Sequence, residues 1–255
     1  MAGSLVVSDI NGAGFVDNLI INPEFTLNQR GSASRTTTSS AYNYDRWYYD
    51  GTHLYQGVEN ESLRNGTYSL SWSGSSTAAY SLNTAGSSGQ GAESYTAITS
   101  GSQITISGLT TETLWVRFTG DLANLTEVML SKGTGASSFV GRSYGEELAL
   151  CQRYYEVLET SSEIVICPMA QYNSTVAYGV YQFTQKRAVP TVTFLAGSTV
   201  KYFRGSSAID IGTPARETIG TQTLRLSVIN SATVGTAGWL AFTDGGGALQ
   251  IDAEL

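Results

Sequence analysis

Apolar and polar residues alternate over many short stretches of this chain. In the stretch LWVRF, Leu114, Val116 and Phe118 would share one face of a strand, and Trp115 and Arg117 would share the other, because successive side chains of a strand point to opposite faces. Gly, Asn and Ser separate such runs, as is typical of turns between strands. The pattern predicts an all-β protein with an N-terminal jelly roll or β-sandwich and a second antiparallel β-sandwich domain.

One segment in the middle, RSYGEELALCQRYYEVLE, departs from this alternation and predicts a linking α-helix over residues 142–160. Ser143 and Glu146 have the spacing of a capping box. Apolar residues then recur at intervals of three and four, which would give the helix one apolar face: Leu148, Cys151, Tyr155 and Leu158. The predicted organisation has four parts in chain order: an arm over residues 1–17, a jelly roll over 18–141, the helix over 142–160 and a β domain over 161–255.

Composition narrows the class of protein. The chain has 255 residues, of which 14% are charged, a net charge of −7, and 14 Lys and Arg that form no basic run. Since nucleic-acid binding needs a positive surface, we expect no nucleic-acid partner. No apolar stretch approaches the roughly 20 residues that cross a bilayer, and the N-terminus lacks the regions of a secretory signal. We therefore expect a protein made in a cytoplasm, without a membrane partner.

The segment YNYDRWYYDGTHLYQ is the richest candidate for binding chemistry. Aromatic rings stack on the apolar faces of sugar rings, while carboxylates and amides bind the hydroxyl groups. The candidate carbohydrate-binding residues are Tyr44, Trp47, Tyr48, Tyr49, Asp50 and His53. In the alternative interpretation, alternate residues of a strand fill the sandwich core, and this interpretation is favoured for Asp45, Arg46 and Trp47.

The sequence gives little support for an enzyme. His53 is the single histidine, and the chain has no nucleophile-elbow pentapeptide. A glycosidase needs only two carboxylates, and the candidates in loops are Glu93, Glu112, Asp121 and Asp210. The Asp-Gly pairs at Asp50 and Asp244 are typical of tight turns and do not match a calcium-binding EF-hand loop. We therefore predict no enzyme, no cofactor and no metal site.

Two stretches resemble a family of bacteriophage virion proteins. Members of that family begin with Asn-Leu-Leu-x-Asn-Gly-x-Phe, followed by Gln-Arg-Gly and by Tyr-x-x-Asp-Arg-Trp, and here NLIINPEFTLNQRG and YNYDRWYY stand at the matching positions. Later, ELALCQRYYE is similar to the family's Glu-Leu-x-Leu-Cys-Gln-Arg-Tyr-Tyr helix. The resemblance covers residues 18 to about 156. Pro23 and Asn28 depart from it, since the family has a glycine and a tryptophan there.

The resemblance implies a tail-fibre or other structural virion protein with a carbohydrate-binding-like jelly roll. On this basis we expect a homo-oligomer, with a trimer favoured, whose copies meet through Leu148, Tyr155 and Leu158 of the helix. Packing of the helix on the chain's own sheets is the alternative. Residues 1–17 would attach to other virion proteins, and a bacterial surface polysaccharide would be the ligand. The expected location is the virion.

Two other functions stay open at this point. A capsid decoration protein, such as a cement protein or head fibre, or another tail structural protein would need no sugar binding, and a short chain without a stalk or repeats favours this class. A polysaccharide depolymerase would require paired carboxylates. Exposure of the tyrosine-rich segment to solvent would separate adhesion from a purely structural role.

Overall fold

Strands dominate the fold, as the alternating sequence predicts. The computed structural model describes residues 17–83, 94–135, 138–159, 164–195, 199–205, 207–243 and 248–254, so the predicted arm over residues 1–17 lies, apart from Asp17, outside the described residues. The chain divides into two compact units after Ser143, and the second unit covers Tyr144–Glu254. The described residues form an all-β fold with one α-helix and one short 3₁₀ turn at Asn60–Ser62.

The described strands of the first unit form two antiparallel sheets. They are β1 (Ala41–Tyr44), β2 (Trp47–Tyr49), β3 (Leu54–Val58), β4 (Gly66–Ser73), β5 (Thr77–Asn83), β6 (Thr96–Ile98), β7 (Ser102–Ile106), β8 (Thr113–Thr119) and β9 (Thr126–Lys132). The larger sheet has six strands in the order β1-β2-β3-β8-β5-β6, and the smaller has three in the order β7-β4-β9.

One hydrophobic core lies between these two sheets. Leu114, Val116 and Phe118 of β8 are fully buried in it, and so are Leu70 of β4 and Leu130 of β9. The three residues of β8 are the ones that the period-two pattern places on one face. The predicted N-terminal β-sandwich is confirmed.

The residues that carry the resemblance hold buried backbone segments together. The side-chain amide of Asn22 donates to the Leu27 carbonyl (2.8 Å) and accepts from the Leu27 N–H (3.0 Å), while the Asn22 carbonyl accepts from Trp47 Nε1 (2.9 Å). The Asp45 carboxylate accepts from the backbone N–H (3.1 Å) and the side-chain amide (3.2 Å) of Gln29. Because buried polar groups need such partners, these motif residues serve the fold of the sandwich.

The second unit also contains two antiparallel sheets. Its described elements are α1 (Tyr144–Gln152), β10 (Tyr155–Glu159), β11 (Val165–Gln171), β12 (Val176–Gln182), β13 (Thr191–Phe194), β14 (Val200–Arg204), β15 (Ser207–Asp210), β16 (Ala215–Ile219), β17 (Thr223–Ile229), β18 (Ala237–Phe242) and β19 (Ala248–Asp252). Seven strands form the order β15-β14-β18-β11-β12-β17-β16, and three form the order β10-β19-β13. Leu226, Leu240, Leu249 and Ile251 are fully buried in the common core of these sheets.

The helix is shorter than the sequence predicts. It covers Tyr144–Gln152, and the prediction over residues 142–160 is wrong beyond Gln152, where the chain turns and continues as β10. Strand β10 pairs with β19 along its whole length, from Tyr155 opposite Asp252 onward. Tyr and Val favour strands, and tertiary pairing overrides local helical periodicity. The helix also belongs to the second compact unit.

A buried lysine donates a hydrogen bond to the last backbone carbonyl of α1. The ammonium group of Lys186 donates to the Gln152 carbonyl (2.5 Å) and to the Glu156 carboxylate (2.7 Å). Burial lowers the pKa of Lys186, and the hydrogen bond and charge of Glu156 oppose that change. A cation at this end interacts favourably with the helix dipole. Within the described part of the chain, no helix has the length and apolar character needed to cross a membrane.

Candidate functional site

The tyrosine-rich segment forms β1, β2 and β3 and contributes to both faces of the six-stranded sheet. In register across the strands, Tyr42 lies opposite Tyr48, Tyr48 opposite Tyr55, and Tyr55 opposite Arg117. Residues paired in this way have side chains on the same face. The four side chains therefore form a row on the outer face of the sheet, the face that points away from the sandwich core.

The alternating residues of the same segment point inward. Trp47 is fully buried, its ring stacks on Phe25 with ring centroids 4.6 Å apart, and its Nε1 donates to the Asn22 carbonyl. Tyr44 and Tyr49 are partly buried and pack against the same core. Trp47 therefore cannot offer its ring to a ligand, and the core interpretation holds for this residue. Tyr44 and Tyr49 belong to the inner face of the sheet.

Five aromatic residues make up a separate cluster on the outer face, which we call the outer cluster: Tyr42, Tyr48, Tyr55, Tyr95 and Trp115. The ring centroids are 5.3 Å apart for Tyr42 and Tyr48, 6.4 Å for Tyr48 and Tyr55, and 6.1 Å for Tyr55 and Tyr95. The first and third of these pairs are edge-to-face and the second is tilted. Edge-to-face contacts stabilise aromatic pairs by about 0.5–1.5 kcal/mol beyond their buried area. Tyr48, Tyr55 and Trp115 are buried, whereas Tyr42 and Tyr95 are partly exposed.

Asp50 organises the polar edge of the outer cluster. One carboxylate oxygen accepts from the backbone N–H groups of Thr52 (2.7 Å) and His53 (2.6 Å), and the other accepts from the Tyr55 hydroxyl (2.7 Å) and lies 3.2 Å from His53 Nδ1. Burial alone would raise the pKa of Asp50, but these hydrogen bonds outweigh it and lower the pKa. The carboxylate is therefore anionic at neutral pH.

Two guanidinium groups lie against tyrosine rings of the outer cluster. The guanidinium carbon of Arg117 is 3.9 Å from the Tyr95 ring centroid, and that of Arg30 is 5.3 Å from the Tyr42 ring centroid. Cations over aromatic faces are attracted by the ring quadrupole. Burial raises the pKa of Tyr95 to about 12, with Arg117 opposing the rise. Burial and the hydrogen bond to Asp50 also raise the pKa of Tyr55, so both tyrosines are neutral hydroxyl groups.

The outer cluster combines aromatic surface with charged and hydroxyl groups on one sheet face. Its partly exposed members are Tyr42 and Tyr95. Arg117, which lies over Tyr95, and Asp50 and His53, which contact Tyr55, are also partly exposed. These groups can stack on a sugar ring and bind its hydroxyls. Of the residues proposed from the sequence, the outer face brings Tyr48, Asp50 and His53 together.

The residues proposed from the sequence did not include five that lie on this face: Tyr42, Tyr55, Tyr95, Trp115 and Arg117. Tyr55 was in the tyrosine-rich segment, and the alternation in LWVRF placed Trp115 and Arg117 on the face opposite the core residues. Trp115 is only 1% exposed, and its indole N–H has no hydrogen-bond partner among the described residues. Sequence alone could not show that β8 pairs with β3.

The loop carboxylates considered for a glycosidase have local roles. Glu112 accepts hydrogen bonds from the backbone N–H (2.6 Å) and hydroxyl of Thr110. Asp121 accepts from the Ser75 hydroxyl (3.1 Å) and from the Asn124 amide (2.8 Å). Such hydrogen bonds stabilise turns.

The remaining acidic candidates give no pair of neighbouring carboxylates among the residues that the structure describes. Asp210 pairs with Lys201 at 3.4 Å. Glu93 and Asp244 lie outside the described residues. Among the residues that the structure describes, no three His, Cys, Asp or Glu side chains are grouped as metal ligands would be.

The three residues proposed as an oligomer contact on one helix face are divided between two elements. Tyr155 and Leu158 lie on β10, where Tyr155 is buried and Leu158 packs against the core of the second unit. Leu148 is on α1 and partly exposed, while the buried residues of α1 are Glu147 and Cys151. Because the helix ends at Gln152, the assumed spacing of three and four does not apply to Tyr155 and Leu158.

Comparison with known proteins gives no relative from which a role could be transferred. No protein-family model matches the chain, and no curated protein or solved structure matches it either.

Proposed function

We propose that this chain is a bacteriophage virion protein of the tail-fibre or receptor-binding type, whose N-terminal sandwich binds a bacterial surface polysaccharide. The observation that carries the sugar-binding part is the outer cluster, in which Arg117 lies against partly exposed Tyr95, Arg30 lies against partly exposed Tyr42, and Asp50 accepts from Tyr55. The resemblance of NLIINPEFTLNQRG, YNYDRWYY and ELALCQRYYE to phage virion proteins supports the virion part. We further propose that the chain acts as a homo-oligomer.

The chemistry of the outer face favours a carbohydrate over a purely apolar ligand. Tyr42 and Tyr95 offer ring surface, while Asp50 is an acceptor of hydrogen bonds and Arg117 is a donor. A sugar ring has apolar C–H faces and hydroxyl groups at its edge, so it can use both kinds of group at once. A repeating polysaccharide would add affinity through several weak contacts when copies of the chain are assembled.

The proposal is tested by binding to an array of bacterial surface polysaccharides. Tyr42→Ala and Tyr95→Ala remove partly exposed rings, and we expect each to weaken binding about tenfold or more, as central aromatic residues of a binding site do. Tyr172→Ala is the matched control, since Tyr172 is 70% exposed and lies in the second unit. Equal binding by all three variants and the unaltered protein would refute the assignment of the site.

A purely structural virion protein, of the cement or tail-component kind, is the second candidate. The burial of Tyr48, Tyr55 and Trp115 favours it, because a cluster closed to solvent stabilises the sheet without any ligand. This candidate predicts that the unaltered, folded protein binds no polysaccharide on the array. It also predicts that Tyr48→Ala lowers the free energy of unfolding, because the substitution removes a buried ring, and that this variant likewise binds no polysaccharide.

A further inference from the structure

The seven-stranded sheet of the second unit has an outer face that is rich in apolar side chains. Phe203 of β14 is in register with Trp239 of β18, and Trp239 is in register with Pro168 of β11. Val180 of β12 faces the same side, since the neighbouring Gly179 pairs with the inward-pointing Met169. We call this row the apolar row. It crosses four adjacent strands in the middle of the sheet.

The apolar row is accessible to solvent. Trp239 is 42% exposed and Val180 is 49% exposed. The rings of Phe203 and Trp239 are stacked, with centroids 5.6 Å apart and an interplanar angle of 7°. Contiguous apolar patches of this kind mark interaction sites on soluble proteins, whereas single exposed apolar residues need no explanation.

Charged side chains flank the apolar row, and Arg225 is in register with Val180. Lys201 of β14 pairs with Asp210 of the edge strand β15 at 3.4 Å, and Arg225 of β17 lies 5.0 Å from the ring centroid of Tyr178. These three charges sum to +1, whereas the whole chain has a net charge of −7. Two copies that meet through this face therefore avoid the repulsion that their other acidic surfaces would produce.

The size of the face is close to half of a stable interface. Seven strands spaced about 4.8 Å apart cover roughly 30 Å, and strands of five to seven residues are roughly 17–23 Å long. The projected face therefore measures on the order of 500–700 Å², and its accessible area is larger because side chains protrude from it. A standard protein interface buries about 800 Å² on each partner.

The chemistry of the apolar row favours a protein surface over a sugar. Apart from the indole N–H of Trp239, its side chains have no hydrogen-bonding group, so the hydroxyls of a sugar placed there would lose their hydrogen bonds with water. A second sheet face can instead pack at a spacing of about 10 Å and bury both apolar rows, as the two sheets of a sandwich do.

We propose that the outer face of the seven-stranded sheet binds a second copy of this chain through the row Phe203, Trp239, Pro168 and Val180. This proposal rests on the homo-oligomeric part of the proposed function and names the surface through which the copies would meet. It is independent of sugar binding, since every residue of the row lies in the second unit. It also replaces the contact expected at Leu148, Tyr155 and Leu158.

The test is the mass of the protein in solution, measured by light scattering after size-exclusion chromatography. We expect the unaltered chain to be oligomeric and Val180→Glu to be monomeric, because the contact would then have to desolvate a carboxylate together with its cross-strand neighbour Arg225. Val189→Glu is the matched control, since Val189 is 62% exposed and lies outside the strands of this sheet, and it should leave the oligomer intact. Circular dichroism of each variant verifies the fold.

The outcomes separate the two proposals. An oligomer that persists in a folded Val180→Glu variant overturns the assigned surface and leaves the homo-oligomer in place. A monomeric unaltered chain overturns both the surface and the homo-oligomer, while polysaccharide binding on the array is judged separately.

A second measurement keeps the proposal testable if Val180→Glu does not fold. The native thiols of Cys151 and Cys167 are buried, so a thiol introduced by Val180→Cys reacts selectively with a polar maleimide. We expect the reaction to be at least tenfold slower in the assembled protein than after Trp239→Glu dissociates it. The thiol of Val189→Cys should react at the same rate in both states. Equal rates at position 180 would overturn the proposal.

Discussion

The aromatic residues on the outer faces of the six-stranded and seven-stranded sheets have different neighbours. On the six-stranded sheet, Tyr55 donates to Asp50 and Tyr95 lies under the guanidinium group of Arg117. On the seven-stranded sheet, Phe203 and Trp239 stack on each other beside Pro168 and Val180. The first face offers charged and hydroxyl groups to a polar ligand. The second face offers apolar surface that another protein surface can cover.

The same alternation of side chains thus gives the two sheets outer faces of different chemistry. Each strand of a sandwich must give one face to the core, and the other face is free to vary. Polar partners placed among aromatic rings keep that face compatible with water and with sugars. Without such partners, exposed apolar residues favour association, because each Å² of apolar surface that is buried stabilises the associated state by about 25 cal/mol.

The largest expected effect compares two tryptophans in different surroundings. Trp47→Ala removes a fully buried ring and its hydrogen bond to Asn22, so we expect a loss of about 3–5 kcal/mol in the free energy of unfolding. Trp239→Ala removes a half-exposed ring and should cost about 1 kcal/mol. Both changes are measured by urea unfolding in the monomeric Val180→Glu background. Similar losses for the two changes would contradict the assignment of core and outer face.

An intermediate effect compares two buried tyrosine hydroxyl groups. Tyr55→Phe removes a hydrogen bond to the ionised Asp50, which should cost about 1.5–3 kcal/mol of unfolding free energy. Tyr202→Phe is the control, since the Tyr202 hydroxyl is buried without a partner among the described residues, and it should change stability by less than about 0.5 kcal/mol. A larger loss of unfolding free energy for Tyr202→Phe than for Tyr55→Phe would contradict the assigned hydrogen bond between Tyr55 and Asp50.

The smallest expected effect is a pH dependence that originates at Asp50. Its pKa lies below the ordinary value of 3.8 in the folded protein, so the folded state favours the carboxylate more than the unfolded state does. The resulting stabilisation is complete above pH 3.8 and is lost as the pH falls through the folded pKa. Asp50→Asn should therefore destabilise the protein at pH 6 to 7 and do so less as the solution is acidified below about pH 4. A difference that grows on acidification would contradict the lowered pKa.

The sequence predicted the fold class and the first sandwich because these depend on local alternation. Leu114, Val116 and Phe118 are buried as their spacing required. The helix was predicted too long, since the pairing of β10 with β19 is a long-range contact that periodicity does not reveal. Local patterns determine which residues share a face of a strand, whereas the pairing of strands depends on contacts throughout the fold.

The candidate site was predictable only in part, for the same reason. The tyrosine-rich segment was recognised and the core interpretation was favoured for Trp47, but the register and burial of β2 were needed to decide between the two interpretations. Arg117 joins the site because β8 pairs with β3, which lies more than fifty residues earlier in the chain. The apolar row was equally hidden, since Phe203, Trp239 and Pro168 come from three strands that are distant in sequence.

Hydroxyl-radical footprinting tests most directly whether the two faces have separate partners. Oxidation of individual side chains is read by mass spectrometry in the unaltered protein with and without a polysaccharide that binds on the array, and in the Val180→Glu variant. We predict that polysaccharide protects Tyr42 and Tyr95 and leaves Trp239 unchanged, and that Trp239 is oxidised faster in Val180→Glu than in the unaltered protein. Protection of Trp239 by polysaccharide, with Tyr42 and Tyr95 unaffected, would contradict the division of roles between the two sheets.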